Sequence, residues 1–492
     1  MLRNYSLLFS LLIVNFSILL GRFSGFIREI TIAELFGVSY NSDLAILLLT
    51  LPDILINLLV GGALSAAIMP LLAKESYKVS KVIICQLFFF FFFAFVAVSI
   101  ILCLFNDEVI GLIAPGYKNE GDAISSLFLS SYFTIPFCVL TGVSTAYLQF
   151  NNKFIIPSLG TLIFNSTIIL FLFFSDYYSV IGTLSIIYGL YLAVTFRYLS
   201  QLLVLDIWSG FKSIFKRWYI DSDFIRKYIQ AMASGSIIFL LPVICRSVAS
   251  NFSVGSVSLI NYSMRLTEFI IVFSVSCISI VFFPKLTKSF RHSKTLFKDI
   301  AQFLLLLVLL ISSTLSVCLY LNASEFVNVI FGSSLEKSDL DEVAELTSIG
   351  LLAVSFQSAS LMVMSIFNAA SKNKYPLIAN LTGIIVLVIT LYFYTPVDLI
   401  ELMMSLLGVY ILIFLIYMYL AISKLDFSFG FIFSLLLKCV SSVLIVILMN
   451  YIFNFSGISN YILQTFIPFI IIATVFLLLN KKKIKGMFSE KI

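Results

Sequence analysis

Eight ionisable side chains stand where the surrounding sequence is strongly apolar: Arg22, Arg28, Arg246 and Arg265, with Glu29, Asp43, Asp53 and Glu268. A charge at the centre of a membrane helix costs about 2.5–3.5 kcal/mol on insertion scales unless it is paired or meets water. Guanidinium is permanently charged, and its fork of donors fits phosphate or carboxylate through two bonds. Two arrangements satisfy that cost. In the first, the charges cancel as structural pairs: Arg28 with Glu29 or Asp43, Arg246 with Asp53, Arg265 with Glu268 one helical turn on. In the second, the arginines converge on a water-filled cavity and bind an anion, a diphosphate above all. The acids then hold the empty arginines and help form a gate. The second arrangement is the expectation: Arg22, Arg28, Arg246 and Arg265 bind substrate, and Glu29, Asp43, Asp53 and Glu268 gate or pair.

Other chemistries have little to work with. His292 is the only histidine, and it lies in a basic loop, so histidine-based zinc or triad chemistry is not expected. The seven cysteines, Cys85, Cys103, Cys138, Cys245, Cys277, Cys318 and Cys439, all fall in apolar runs without metal spacing. They read as small core residues, and no metal site is expected. No Walker A sequence is present, so direct ATP use is not expected.

The elements that must position these charges are set by composition. The chain has 492 residues, 61% hydrophobic and 11% charged. A soluble domain has about a quarter of its residues charged, so lipid must be the solvent for much of this surface. Residues 6–20 follow a short basic start but lack a small-x-small cleavage site, and they read as a first span and not as a cleaved signal. Taking about 20 residues per crossing gives about fourteen spans. They run at roughly 5–36, 43–72, 81–105, 123–150, 154–175, 178–206, 222–250, 256–284, 298–321, 342–370, 375–394, 398–423, 429–453 and 459–480. Loop charges alternate. One side carries Lys74, Lys78, Lys153, Lys212, Lys216, Arg217, Lys288, Lys372 and the tail "NKKKIKG"; the other carries "NDEVIGLIAPGYKNEGD" and "EKSDLDEVAE". Positive loops stay inside, which places both termini in the cytoplasm. Lys438 and Arg197 lie about two turns from cytoplasmic ends, where snorkelling accounts for them. Arg22 lies roughly 24 Å beyond residue 6 along a helix, past the inner leaflet. Arg22 and Arg28 are near enough in phase to share a broad face, and Gly21 and Gly25 beside Arg22 allow a bend or a close helix approach.

These residues also carry a resemblance. The stretch from "GRFSGFIREITIAELFGVSYNSDLAILLLTLPDILINLLVGGALSAAIMPLLAKE" (21–75), "IAPGY" (113–117), "GSVSLINYSMRLTEF" (255–269) and "FPKLTKSF" (283–290) resemble the corresponding segments of the MurJ/MviN lipid II flippases. These belong to the multidrug/oligosaccharidyl-lipid/polysaccharide (MOP) exporter superfamily. The resemblance implies an all-α polytopic membrane protein of MOP-type fold, with two six-helix lobes and two extra C-terminal helices. The lobes would be 1–210 and 211–425; 426–492 would add a lipid-tail groove and the basic tail. Arg22, Arg28, Asp43, Arg246, Arg265 and Glu268 fall on family positions linked with cavity charge and gating. The sequence departs from the family on span two, where Asp53, Ile56, Asn57 and Gly61 leave the cavity less basic.

The function implied is transport: undecaprenyl-diphosphate-linked peptidoglycan precursor (lipid II) moves from the inner to the outer leaflet of the bacterial inner membrane. Two alternatives on the same fold are a flippase for an O-antigen or capsule repeat and a cation-coupled multidrug antiporter. A glycan polymerase or ligase would need an outer catalytic loop, and the outer loops are short, so no enzyme activity is expected. No cofactor is expected; coupling to membrane potential or a monovalent cation stays open. The partners implied are the polyprenyl-linked glycan, membrane lipids and the cell-wall synthesis machinery, with no nucleic acid.

Overall fold

The computed structural model describes residues 2–55, 63–73, 75–118, 122–177, 183–455 and 460–480. Every described regular element is helical. The expected tail from residue 481, Lys74, and the departures at Ile56, Asn57 and Gly61 lie outside the described residues.

Contacts divide the chain into two compact units, 1–261 and 262–492. In the first, α1 (Leu2–Phe36), α2 (Tyr40–Leu55), α3 (Ala63–Leu72), α4 (Tyr77–Leu104) and α5 (Asn106–Ile113) come first. A 3-10 turn, Pro115–Tyr117, leads to α6 (Asp122–Tyr132), α7 (Ile135–Phe150), α8 (Ile155–Tyr177) and α9 (Thr183–Leu202). Then come α10 (Trp208–Phe211), α11 (Ser222–Ser236), α12 (Leu240–Ala249) and the first turns of α13 (Ser256–Ile271). The second unit takes up the rest of α13, a π-helical turn at Val272–Ser276, and α14 (Cys277–His292). It continues with α15 (Lys294–Tyr320), α16 (Ala323–Phe331), α17 (Lys337–Ala369), α18 (Lys374–Phe393), α19 (Leu399–Leu425), α20 (Phe429–Phe455) and α21 (Tyr461–Leu479).

The described parts of the spans read from the sequence fall on helices; residues 56–62 of the second span and 178–182 of the sixth lie outside the described residues. Among the described residues eight helices are long and apolar enough to cross a membrane on their own, or nine if the bent α11–α12 pair is one span. Several spans are interrupted. Pro52 sits inside α2, a bend of 49° separates α11 from α12, and the π turn interrupts the stretch from α13 to α14. Polar caps fix several starts: Asp221 accepts from Phe224 N, Asp398 from Glu401 N and Asn460 from Ile462 N.

The first unit has two apolar cores. One gathers Leu64, Ile68, Ile83, Leu87, Phe91, Val143 and Phe224 from α3, α4, α7 and α11. The other gathers Ile32, Leu49, Phe164, Ile168 and Leu190 from α1, α2, α8 and α9. The phenylalanine run at 88–93 divides by helical phase: Phe88 and Phe91 are buried, Phe89 and Phe93 exposed. The segment between α9 and α11 is pinned to α4 by buried Gln86, which donates to Ile214 O (2.7 Å) and Arg217 O (2.6 Å) and accepts from Tyr219 N (3.0 Å). In the second unit α20 presents Phe433, Leu437, Leu444 and Leu448 to the outside, an apolar face suited to lipid.

Candidate functional site

α1 is one continuous helix through Gly21 and Gly25, and the glycines serve close approach, not a bend. A Cβ on Gly21 would lie 3.0 Å from Thr161 Cβ, and one on Gly25 3.2 Å from Asn165 Nδ2. α1 therefore lies tightly on α8. Six residues turn a helix by about 600°, which sets Arg22 and Arg28 about 120° apart. They do not share a face here: Arg22 is exposed and Arg28 is 3% exposed.

Arg28 sits at the centre of a polar network inside the first unit. Its Nη1 donates to Asn165 Oδ1 on α8 at 3.1 Å. Its Nη2 donates to Glu29 Oε1 at 2.7 Å and to Asp53 Oδ2 on α2 at 3.0 Å. Glu29 also accepts from Asn261 Nδ2 on α13 at 2.8 Å. Of the pairings open to Arg28 in the sequence, the structure shows Glu29 and adds Asp53. Arg246, buried on α12, donates from Nη1 to Thr50 Oγ1 at 2.9 Å and from Nε to Pro242 O at 3.3 Å. In the second unit Arg265 and Glu268 form the expected pair, at 2.9 Å and partly exposed.

Asp43 has different partners. Its carboxylate, fully buried at the start of α2, accepts from Tyr117 Oη (2.6 Å), Gly255 N (2.7 Å) and Ser258 N (2.7 Å). It thus caps the N-terminus of α13, whose first amides lack helical acceptors. Gly255 holds φ +93°, a conformation suited to glycine. The "IAPGY" loop completes the latch. Gly116 N donates to Ser250 Oγ at 3.1 Å, and a Cβ on Gly116 would collide with the Ser250 carbonyl. Ser247 Oγ donates to Leu112 O at 2.6 Å.

Arg197 differs from expectation. It does not snorkel; it is 5% exposed, packed between α8 and α9 with its Cζ 6.0 Å from the Phe164 ring centroid. Distance from a helix end does not reveal which face a residue occupies. Asn165, Asn261 and Thr50 escaped the sequence reading because amides and hydroxyls are unremarkable in apolar runs. The signal available was an asparagine within each of two apolar spans, Asn165 in the middle of one and Asn261 near the start of the other. The described cysteines Cys85, Cys103, Cys138, Cys245, Cys318 and Cys439 carry free thiols.

Deep charges held by side chains from several apolar helices, with a capped latch beside them, define a polytopic helical membrane protein with a buried polar network. A solved structure titled "Lipid II flippase MurJ, inward closed conformation" superposes with TM-score 0.77 at 21% identity, covering 95% of this chain and 99% of that one. An inward-facing multidrug resistance MATE transporter of the MOP superfamily superposes with TM-score 0.60 at 13% identity, covering 84% of this chain and 98% of that one. The model of the family described as "Lipid II flippase MurJ" matches residues 32–477, and the chain belongs to that family. Among curated relatives, "Probable lipid II flippase MurJ" of Buchnera aphidicola subsp. Acyrthosiphon pisum (strain APS) is 27% identical over 403 residues, 76% of each chain. "Lipid II flippase MurJ" of Thermosipho africanus (strain TCF52B) is 29% identical over 178 residues, 36% of this chain and 38% of that protein. The chain is accordingly a multi-pass protein of the bacterial inner membrane, with a lipid-linked substrate and membrane lipids as its partners.

Proposed function

We propose that this chain carries lipid II from the cytoplasmic to the outer leaflet by alternating access, with both termini cytoplasmic and about fourteen crossings. The observation that carries the reading is the Arg28 network: a buried guanidinium in an apolar helix, held by Glu29 and by Asp53 from a second helix. A diphosphate cannot enter hydrocarbon without replacement of its hydration. Exposed Arg22 meets it first, and Arg28 takes it up as Asp53, itself 23% exposed, gives way. Arg246 adds a third cation in the same unit. A role for Arg265 rests on its residue type and on the resemblance.

The Asp43 latch closes the outer end of α2 against the start of α13 and opens to release the head group. The polyprenyl tail stays apolar throughout. The second unit offers it a narrow apolar crevice of about 60 Å³ lined by Leu307, Leu310, Ile311, Phe469, Ile472 and Phe476, between α15 and α21. No bond is made or broken, so no catalytic residue or cofactor is required. Membrane potential, worth about 2.3 kcal/mol per charge per 100 mV, favours outward movement of an anionic head group. The lobes 1–210 and 211–425, the tail groove in 426–492, and an association with cell-wall synthesis enzymes belong to the same proposal.

The test is complementation of a strain depleted of its lipid II flippase, read as lipid II retained in the inner leaflet. This chain should relieve the accumulation, and Arg28→Gln at equal membrane abundance should not. Accumulation persisting with the correctly inserted native chain would overturn lipid II as substrate and point to another polyprenyl-diphosphate glycan.

A further inference from the structure

We propose that the connection between α9 and α11, together with the lipid-facing side of α4, forms a binding site for the headgroup of an anionic phospholipid. The site stands apart from the transport cycle and does not depend on which leaflet it faces. Residues 207–219 carry three cations, Lys212, Lys216 and Arg217, and no acid. All three are exposed, and none is ion-paired among the described residues. The acids on either flank are already engaged: Asp206 by Lys81 at 2.6 Å, Asp221 by the Phe224 amide at 2.8 Å, and Asp223 by Lys227.

The connection is pinned along α4. A Cβ on Gly210 would collide with the Lys81 carbonyl and lie 3.0 Å from Cys85 Sγ. Further on, Gln86 holds the backbone of Ile214, Arg217 and Tyr219. Phe215 then meets Phe89 edge to face at 5.8 Å, and Phe89 meets Phe93 at 4.5 Å. From Lys81 to Phe89 the helix rises about 12 Å, so the connection climbs α4 instead of hanging below it. α4 is long and apolar enough to cross a membrane, and 22% of its most apolar stretch is buried, so much of its surface meets hydrocarbon. Phe215, 79% exposed, extends that surface together with exposed Phe89 and Phe93. Aromatic rings beside cations are the composition of a membrane–water interface, with rings toward the acyl chains and cations toward the headgroups. Lipid already covers the adjoining face of α4, so lipid is the occupant. Three cations without a protein carboxylate select an anionic headgroup over a zwitterionic one. Because the backbone beneath them is fixed, little ordering opposes binding.

The chain has two tryptophans, and Trp218 is exposed beside the cations. The full chain carrying Trp208→Phe is reconstituted in phosphatidylcholine bilayers, doped with acyl-brominated phosphatidylglycerol or acyl-brominated phosphatidylcholine. Bromine quenches tryptophan emission on contact. Brominated phosphatidylglycerol should reach half-quenching at a mole fraction about tenfold lower, or less still. Each cation neutralised should cut that advantage by up to about fivefold, and added salt should weaken it. The triple variant Lys212→Gln, Lys216→Gln, Arg217→Gln gives up one ring contact, Arg217 over Tyr219, and leaves the bonds to Gln86 intact. It should make the two lipids equivalent while keeping native quenching by brominated phosphatidylcholine, which reports that the segment still lies on α4. If that quenching is lost, Lys216→Gln alone carries the same comparison. Equal quenching by the two lipids in the native chain would overturn the site, as would an advantage for phosphatidylglycerol that survives neutralisation undiminished. Quenching by neither lipid would place the segment outside the bilayer and overturn it too.

Discussion

Replacing Asp43 with asparagine keeps the shape of the latch and removes its charge. The native carboxylate accepts two backbone amides and one phenol, at 2.6–2.7 Å, all buried. Hydrogen bonds to an ionised group contribute about 1.5–3 kcal/mol each, and neutral ones about 0.5–1.5. Asparagine retains one oxygen, so one amide of the pair Gly255 and Ser258 keeps a neutral acceptor and the other meets an NH2 group. The favourable term between a carboxylate and the α13 N-terminus, about 0.3–1 kcal/mol, is lost as well. Together these weaken closure by about 3 kcal/mol, or about a hundredfold in the open-to-closed ratio. Hydrogen exchange read by mass spectrometry over residues 253–259 measures it directly, because both amides lie at the start of α13, where no intrahelical acceptor is available. Exchange there should accelerate by about two decades, while peptides of α15 and α17 stay unchanged. Unaltered exchange at Gly255 and Ser258 in the Asp43→Asn protein would refute the latch.

Arg28→Lys retains charge but loses the fork that reaches Asn165, Glu29 and Asp53 together; flipping by inner-leaflet lipid II assay should fall at least tenfold with membrane abundance near native. Gly116→Ala drives a methyl group into the Ser250 carbonyl and should destabilise the folded chain by about 2 kcal/mol or more, seen as a lower unfolding midpoint. Lys81, donating at 2.6 Å, holds Asp206 below the ordinary carboxylate range. A depressed carboxylate stabilises the fold above its unfolded value of 3.8 and loses that contribution as pH falls through the folded value. Both tryptophans, Trp208 and Trp218, lie in the segment that follows Asp206, so acid titration of tryptophan emission should show a transition below pH 3.8 that moves up in Lys81→Met.

The spans were legible because lipid demands long apolar runs, and the deep charges because ionised groups are costly there. Arg28, Glu29 and Asp53 were singled out on cost, and they do meet; Arg265 and Glu268 pair as their spacing implied. Hidden from sequence was everything decided by rotation or by a neighbour far along the chain. Arg22 and Arg28 part company by helical phase, and Arg197 turns inward instead of toward the headgroups. Asp43 meets amides 212 and 215 residues away, contacts that no local pattern encodes. The bend before α12 falls on Ser234, Gly235 and Ser236, a glycine–serine signature that the sequence does offer, whereas the π turn after α13 carries no proline or glycine.

The seam between α1 and α8 has a mechanical consequence. With Gly21 against Thr161, Gly25 against Asn165, and Asn165 bonded to both Arg28 and the Gly21 carbonyl, the two helices have no slack to slide. They act as a single strut. Any stroke that re-exposes Arg28 must therefore come from partners that can retreat, Asp53 on α2 and Asn261 on α13, while the guanidinium stays where the strut holds it.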